Sequence, residues 1–296
     1  MTTAARPASI SATLRDLVAL TKPRITLMVV ITTAGGLWLA PGEVGWQLAL
    51  ATIVATAMVV GAANALNCWL ERDIDGRMAR TKRRPLPDGR LDPRLALGFG
   101  LSLGALSVPI LTMVANPLTG LLAAIALVSY VWIYTPMKQR SPFAVVVGSV
   151  PGALPPLIGW TAATGELSAP GIVLFGILFI WQLPHFLAIS IVREREYTKA
   201  GIVVMSAARG VASTKRQTVL WAGALLPVSL LLVPLGIAGW IYLTVAAVLG
   251  VAFLVWALLG LRKEAGNRWA RQLFLASLAY LPLLFAALAV DVAAGS

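Results

Sequence analysis

The chain has 296 residues, 58% of them hydrophobic and 12% charged, and a net charge of +12 at pH 7. Soluble domains carry about 25% charged residues, so this composition argues against a soluble globular protein and for a polytopic membrane protein. The positive balance suits a basic cytosolic face beside anionic lipid, and no nucleic-acid partner is expected of so apolar a chain.

Residues 1–20 are polar and mixed, with no apolar core of the kind a cleavable signal carries, so they read as a cytosolic N-terminal segment. The whole chain, 1–296, reads as a single integral-membrane domain. Apolar runs of about twenty residues predict nine spans, near 24–41, 46–70, 94–114, 117–136, 142–162, 170–191, 216–235, 237–261 and 271–290. Pro and Gly interrupt several, as in "PGALPPLIGW" at 151–160, and such breaks need packed or cavity-lining surroundings. Every Lys and Arg falls on one side of this arrangement. The N-terminal segment through Arg24 holds four, and the loops after spans two, four, six and eight hold eight, two, six and four. The opposite loops and the C-terminus hold only the acids Glu43, Glu166 and Asp291. The positive-inside rule then puts the N-terminus in the cytosol and the C-terminus outside. Cys68 is the only cysteine, so no intrachain disulfide forms, and it reads as a small apolar residue near a helix end.

Two long loops, about 71–93 and 192–215, lie on the basic side, where function tends to sit. If the helix of span two continues into the first of them, Asn67, Glu71 and Asp75 fall at i, i+4 and i+8 on one stripe, with Asn64 extending it. Asp73 points away and can pair with Arg72 or Arg77. Stacked carboxylates repel, and a divalent cation reverses the sign. Hard oxygen ligands with one or two carboxylates suit Mg²⁺ bound to phosphate rather than zinc or copper. The plainer reading is a solvated helix end paired with nearby arginines. "RTKRRP" then supplies Arg80, Lys82, Arg83 and Arg84, which can anchor the loop in the cytosol or clamp a diphosphate. The second loop repeats the mixture in "REREYTKAG", with Arg193, Glu194, Arg195, Glu196, Tyr197 and Lys199, and "YTPMKQRS" at 134–141 adds a third polar end with Lys138. A diphosphate at this mouth with an apolar tail between helices would suit an isoprenyl donor. The single histidine, His185, lies in "WQLPHF" within span six. It is either a functional group or a hydrogen-bonded residue that steadies the break at Pro184.

The stretch "NALNCWLERDIDGRMARTKRRPL" at 64–86 resembles the signature of the UbiA-type intramembrane prenyltransferases. Its continuation M-x-R-T-x-x-R-P is similar to the heme-farnesylating branch, as are "YTPMKQRSPFAVVVGSVPGALPPLIGW" at 134–160 and "WQLPHFLAISIVREREYTKAGIVVM" at 181–205. The resemblance covers nearly the whole chain. It implies an all-α bundle of nine transmembrane helices around a central cavity open to the cytosolic side of the bacterial inner membrane. It implies Mg²⁺-dependent transfer of farnesyl from farnesyl diphosphate to a vinyl group of heme B, with addition of water, giving heme O. Asn67, Glu71 and Asp75 would hold Mg²⁺ and diphosphate, with Glu196 as a further metal ligand. Arg80, Lys82, Arg84, Lys138, Arg193 and Lys199 would bind the diphosphate. Asn64, Tyr134, Trp181 and His185 would line the heme or prenyl cavity, the aromatic faces stabilising an allylic cation. Membrane lipid, and heme A synthase or terminal-oxidase assembly proteins, are the implied partners. The family usually carries a second pair of acids four residues apart, whereas here Val192 precedes Glu196, and Val203 stands in place of a proline.

Three other functions compete. Prenylation of an aromatic quinone precursor would use the same acids. A secondary transporter would place paired polar groups at mid-span, and here charge gathers at one mouth. A non-catalytic assembly factor would leave the acid stripe unexplained.

Overall fold

Prolines open several of the helices, where their missing N–H costs nothing and their fixed φ suits the first turn. In the computed structural model, which describes residues 9–295, α1 runs Ile10–Leu20 and α2 Pro23–Leu39. Residues 1–8 of the polar N-terminal segment, and residue 296, lie outside the described residues. Then follow α3 (Trp46–Leu70), the one-turn α4 (Arg72–Asp75), α5 (Pro93–Ile110) ending in a π-helical turn at Leu111–Ala115, and α6 (Pro117–Val128). A second π-helical stretch, Ser129–Tyr134, leads into the short α7 (Thr135–Met137). The chain continues through α8 (Ala144–Thr164), α9 (Ala169–Val192), α10 (Glu194–Ala200), α11 (Met205–Arg209), α12 (Val211–Leu230), α13 (Trp240–Leu259) and α14 (Asn267–Gly295). No strand occurs among the described residues.

Each of the nine predicted segments falls on a helix, but they are not equally fit to cross a bilayer. Among the described residues, seven helical segments are long and apolar enough, and an eighth qualifies if α1 and α2, bent by 51° at their junction, count as one span. At 17 residues α2 alone rises about 26 Å, short of a hydrocarbon core of about 30 Å. The segment predicted at 216–235 is α12, which starts earlier, with Ser213, Thr214, Lys215, Arg216 and Gln217 in its first turns, and stops at Leu230. Large apolar side chains such as Met28, Leu121, Trp132 and Val248 are exposed on the helix surfaces. In water such a surface would drive aggregation, whereas lipid tails match it. The protein is therefore a multi-pass membrane protein.

The chain divides into two compact units. In the first (1–137, 154–166 and 199–201), α3 packs on α2 and α5, and small residues let the backbones approach. Gly36 of α2 faces the carbonyl of Pro156, and Gly159 faces the carbonyl of Thr33, so a Cβ at either position would collide with backbone. Asn116 caps α6 by accepting from Thr119 N (2.9 Å) while its Nδ2 donates to Thr161 O (2.7 Å). Outside the spans, Arg90 donates to Asp88 (2.8 Å) and Asp16 (2.5 Å), which raise its pKa further and tie α1 to the loop after α4.

The second unit (138–153, 167–198 and 202–296) packs α9 against α12 and α14, and α13 against α12 and α14. Two buried charges are satisfied here by backbone. Asp291 of α14 accepts from Ile241 N (3.0 Å), Tyr242 N (3.2 Å) and Gly239 N, and so caps the start of α13. Lys215 Nζ donates to Ala265 O (2.5 Å) and Arg262 O (3.4 Å), just past the end of α13. The two charges thus match the helix dipole at both ends.

Candidate active site

The stripe predicted after span two forms, with one break in it. α3 ends at Leu70, and Glu71 takes φ −96° and ψ 8°, after which α4 adds a single turn. Backbone bonds still run through the break, from Glu71 N to Asn67 O (2.9 Å) and from Asp75 N to Glu71 O (2.8 Å). Asn67, Glu71 and Asp75 therefore stay in register along one flank. They are 2%, 7% and 2% exposed, so this is not a solvated helix end. Burying two carboxylates needs compensating positive charge.

That charge comes from two directions. Arg84 Nη1 donates to Asp75 Oδ2 at 2.6 Å, because the loop after α4 folds back, held by Thr81 Oγ1 donating to Asp75 O (2.7 Å). Lys22 Nζ donates to Asn67 Oδ1 at 3.1 Å. Lys22 has φ 51°, a left-handed conformation that costs an ordinary residue about 1–2 kcal/mol. The following Pro23 disfavours the right-handed helical alternative, and the strain turns the chain between α1 and α2. A lysine only donates, so it fixes the Asn67 amide with Oδ1 toward the ammonium. Asn67 Nδ2 then donates to Glu71 Oε2 (2.9 Å) and Thr135 Oγ1 (3.0 Å). Thr135 Oγ1 donates in turn to Tyr130 O (2.8 Å) across the wide π-helical turn, which leaves its oxygen to accept from Asn67.

The donor set is one amide oxygen and two carboxylates on a single buried flank. This fits a hard divalent cation, which keeps some coordination for phosphate oxygens. Two cationic heads already lie against these oxygens, so positive charge is favourable there. Among the described residues no group of three His, Cys, Asp or Glu is poised to hold a metal. Phosphate oxygens would have to complete the coordination.

Other predicted residues have different settings. Asn64 is buried and donates to Thr21 O (3.2 Å), just before Lys22. Asp73 is exposed and 4.0 Å from Arg72, as its direction predicted. Arg80 and Lys82 are exposed, and only Arg84 of the "RTKRRP" run has an acid of the stripe as partner. Tyr134 is half-buried, its ring centroid 5.3 Å from that of Tyr130. In the second unit, Lys138 is half-buried and its carbonyl accepts from Val203 N (2.8 Å). Arg193 donates to Glu196 (2.8 Å), whereas Lys199, which falls in the first unit, is exposed. Cys68 is a buried free thiol packed with Leu20, Ala65, Leu86, Leu91 and Ala96, in agreement with its structural reading.

Trp181 and His185 do come together. Their rings stack at 5.1 Å and 25°, and both bind Ser277 of α14: Trp181 Nε1 donates to its carbonyl (2.8 Å), and His185 Nδ1 lies 2.8 Å from its hydroxyl. The histidine does bridge to a neighbouring helix beside Pro184, and this bridge uses one ring nitrogen. Lys22, Thr135 and Ser277 were not expected from the sequence. Lys22 had one sequence signal, a cation directly before a helix-opening proline.

The UbiA prenyltransferase family pattern matches residues 29–278. The chain belongs to the UbiA prenyltransferase family. It is 57% identical over 96% of its length to a protoheme IX farnesyltransferase of an Anaeromyxobacter species, covering 95% of that protein. It is 52% identical over 97% of its length to the protoheme IX farnesyltransferase of Myxococcus xanthus, covering 98% of that protein. Among solved UbiA-type folds, a digeranylgeranylglyceryl phosphate synthase structure aligns over 94% of this chain and 98% of its own, with TM-score 0.83 and 18% identity. A UbiA homologue from Archaeoglobus fulgidus bound to GPP and Mg²⁺ aligns over 93% and 99%, with TM-score 0.67 and 14% identity. At these identities the structural matches speak for the fold.

Proposed function

We propose that this UbiA family member transfers the farnesyl group of farnesyl diphosphate to a vinyl group of heme B, with addition of water, giving heme O and diphosphate. The observation that carries the chemistry is the buried Asn67–Glu71–Asp75 flank with Lys22 and Arg84 against its oxygens. The choice of acceptor rests on the near full-length relatives named for protoheme IX.

Asn67, Glu71 and Asp75 would hold Mg²⁺, which when bound supplies electrostatic stabilisation of the departing diphosphate. Arg84 and Lys22 can shift from their protein oxygens to phosphate oxygens, so the site keeps its charge balance when substrate enters. Arg80, Lys82, Lys138, Arg193 and Lys199 are proposed to bind the same leaving group. Release of Arg193 would free the Glu196 carboxylate for a cation. The allylic C–O bond breaks, the heme vinyl π electrons attack the resulting cation, and water adds to the carbocation left on the vinyl group, its surplus proton passing to the released diphosphate. No covalent enzyme intermediate is needed. The aromatic faces of Tyr134 and Trp181 can stabilise the cation, and Asn64 holds the turn that presents Lys22. We further propose that 1–296 is one catalytic domain with nine spans in the bacterial inner membrane. Its N-terminus and charged loops would face the cytosol and its C-terminus the outside, a topology supported by the one-sided distribution of Lys and Arg.

The test is to incubate the purified protein with heme B, farnesyl diphosphate and Mg²⁺ and to analyse the extracted heme by mass spectrometry. Heme O is expected, and its formation should stop when EDTA removes the metal. Unchanged heme B overturns the assignment.

A further inference from the structure

The Ser277 hydroxyl lies 2.6 Å from the carbonyl oxygen of Phe274 and 2.8 Å from His185 Nδ1. A carbonyl cannot donate, and the Phe274 contact is the shorter of the two, which assigns the single serine proton to it. Ser277 Oγ is then left to accept, and His185 Nδ1 must carry a hydrogen. A neutral imidazole with a proton on Nδ1 has a bare lone pair on Nε2. No hydrogen-bond partner meets Nε2 among the described residues.

The ring is also fixed in direction. Trp181, one turn earlier on α9, stacks on it, while Phe274 sits 4.6 Å away from α14 and Phe186 meets it edge-on at 5.3 Å. Trp181 is held in turn by the Ser277 carbonyl, so a single fully buried serine orients both rings. Phe274, together with Ile189 one turn beyond His185, lines a cavity of about 990 Å³. Arg193, Arg195 and Arg271 line it with Glu194 and Glu196. A space of this size takes a cofactor-sized ligand, and Arg195 and Arg271, neither of which is assigned to the leaving group, suit one that carries carboxylates.

We propose that Ser277 is a positioning residue: it locks His185 in the Nδ1–H form, so that Nε2 ligates the iron of the porphyrin acceptor. This rests on the heme reading above. It uses the common construction in which a metal-binding histidine gives its other N–H to an oriented acceptor. Iron ligation would hold the macrocycle in one orientation while a vinyl group reacts.

His185 is the only histidine in the chain, so any histidine–iron signal must come from it. The full chain, carrying no histidine tag, is titrated with ferric heme B. Binding is read by the Soret band, and the reduced complex is read by resonance Raman at the iron–histidine stretch. The wild type should show that stretch and His185→Ala should lack it. Ser277→Ala should bind heme about tenfold more weakly and shift the stretch, and Ser277→Thr should restore both. Ser277→Cys, nearly the same size and a poorer acceptor, decides the matter if the alanine variant does not fold; it should show the same weakening. Retention of the stretch in His185→Ala overturns the proposal. So does wild-type affinity with an unshifted stretch in Ser277→Ala or Ser277→Cys. Heme O formation is measured in parallel. Heme O made without histidine ligation sinks this proposal alone, whereas histidine ligation without heme O sinks the assigned reaction and leaves the ligand site standing.

Discussion

The C-terminal ends of α3 and α9 have the same backbone construction and opposite chemistry. Each long helix stops at one residue with similar dihedrals, Glu71 at φ −96°, ψ 8° and Arg193 at φ −110°, ψ 16°, and a short helix follows. In each, hydrogen bonds four residues apart carry the register through the break: Glu71 N to Asn67 O and Asp75 N to Glu71 O in one, Arg193 N to Ile189 O and Tyr197 N to Arg193 O in the other. The side chains on this frame are Asn, Glu and Asp after α3, and Ile, Arg and Tyr after α9. The backbone therefore does not make a metal site by itself. The first end gathers acids and must recruit Lys22 and Arg84 to bury them. The second end carries its own cation, Arg193, which satisfies Glu196 locally in a half-exposed pair.

The sharpest way to break this comparison is at Asp75. Asp75→Asn keeps the shape and removes the charge. Turnover of farnesyl diphosphate should fall by about 10²–10³, the size of effect seen when one preorganised electrostatic group is lost. Heme binding should be unaffected, as read by the Soret titration. Normal turnover would separate the α3 end from the chemistry altogether. The next effect in size belongs to Arg84. Arg84→Gln leaves Asp75 buried without its guanidinium, and losing one partner of a buried pair costs about 3–5 kcal/mol. The half-exposed arginine side chain lets solvent reach the pair, so the lower end is expected. Thermal melts should show the loss, and added Mg²⁺ should raise the melting temperature more in this variant than in the wild type. A variant that melts like the wild type with and without Mg²⁺ would mean the acids need no cation.

Both ends were visible in the sequence, for different reasons and to different depths. The α3 boundary at 46–70 matched because an unbroken apolar run meets a charged one, and the i, i+4, i+8 spacing survived because a one-residue break does not shift helical register. The apolar run at 216–235 was a poorer guide. Helix α12 continues back through Lys215 and Arg216, and Lys215 reaches carbonyls past the end of α13 that composition cannot reveal. The partners that complete each site lie far away in the chain. Lys22 is 45 residues from Asn67, Thr135 is 68 from Asn67, and Ser277 is 92 from His185. None of these is marked by periodicity, since a lone Thr or Ser in an apolar helix reads as a small residue until packing gives it a neighbour. The acids could be read because their charge violates the hydropathy around them.

Two smaller effects sharpen the comparison. Arg193→Gln removes a partly exposed ion pair worth at most about 1 kcal/mol, so the melting temperature should hardly move. The KM for farnesyl diphosphate should rise if this guanidinium is released to the leaving group, and an unchanged KM would assign the α9 end to anchoring only. The smallest effect is expected at Asp73, which shares the α3 end with Glu71 and Asp75 but lies on its outer side, exposed and 4.0 Å from Arg72. Asp73→Ala should change stability by no more than about 0.5 kcal/mol and leave turnover near the wild-type level. It removes the same charge from the same turn of helix as Asp75→Asn does. The pair of variants therefore separates burial on the stripe from acidity of the loop. A loss at Asp73 as large as that at Asp75 would mean that total negative charge in this loop matters, and that the ordered flank of Asn67, Glu71 and Asp75 does not.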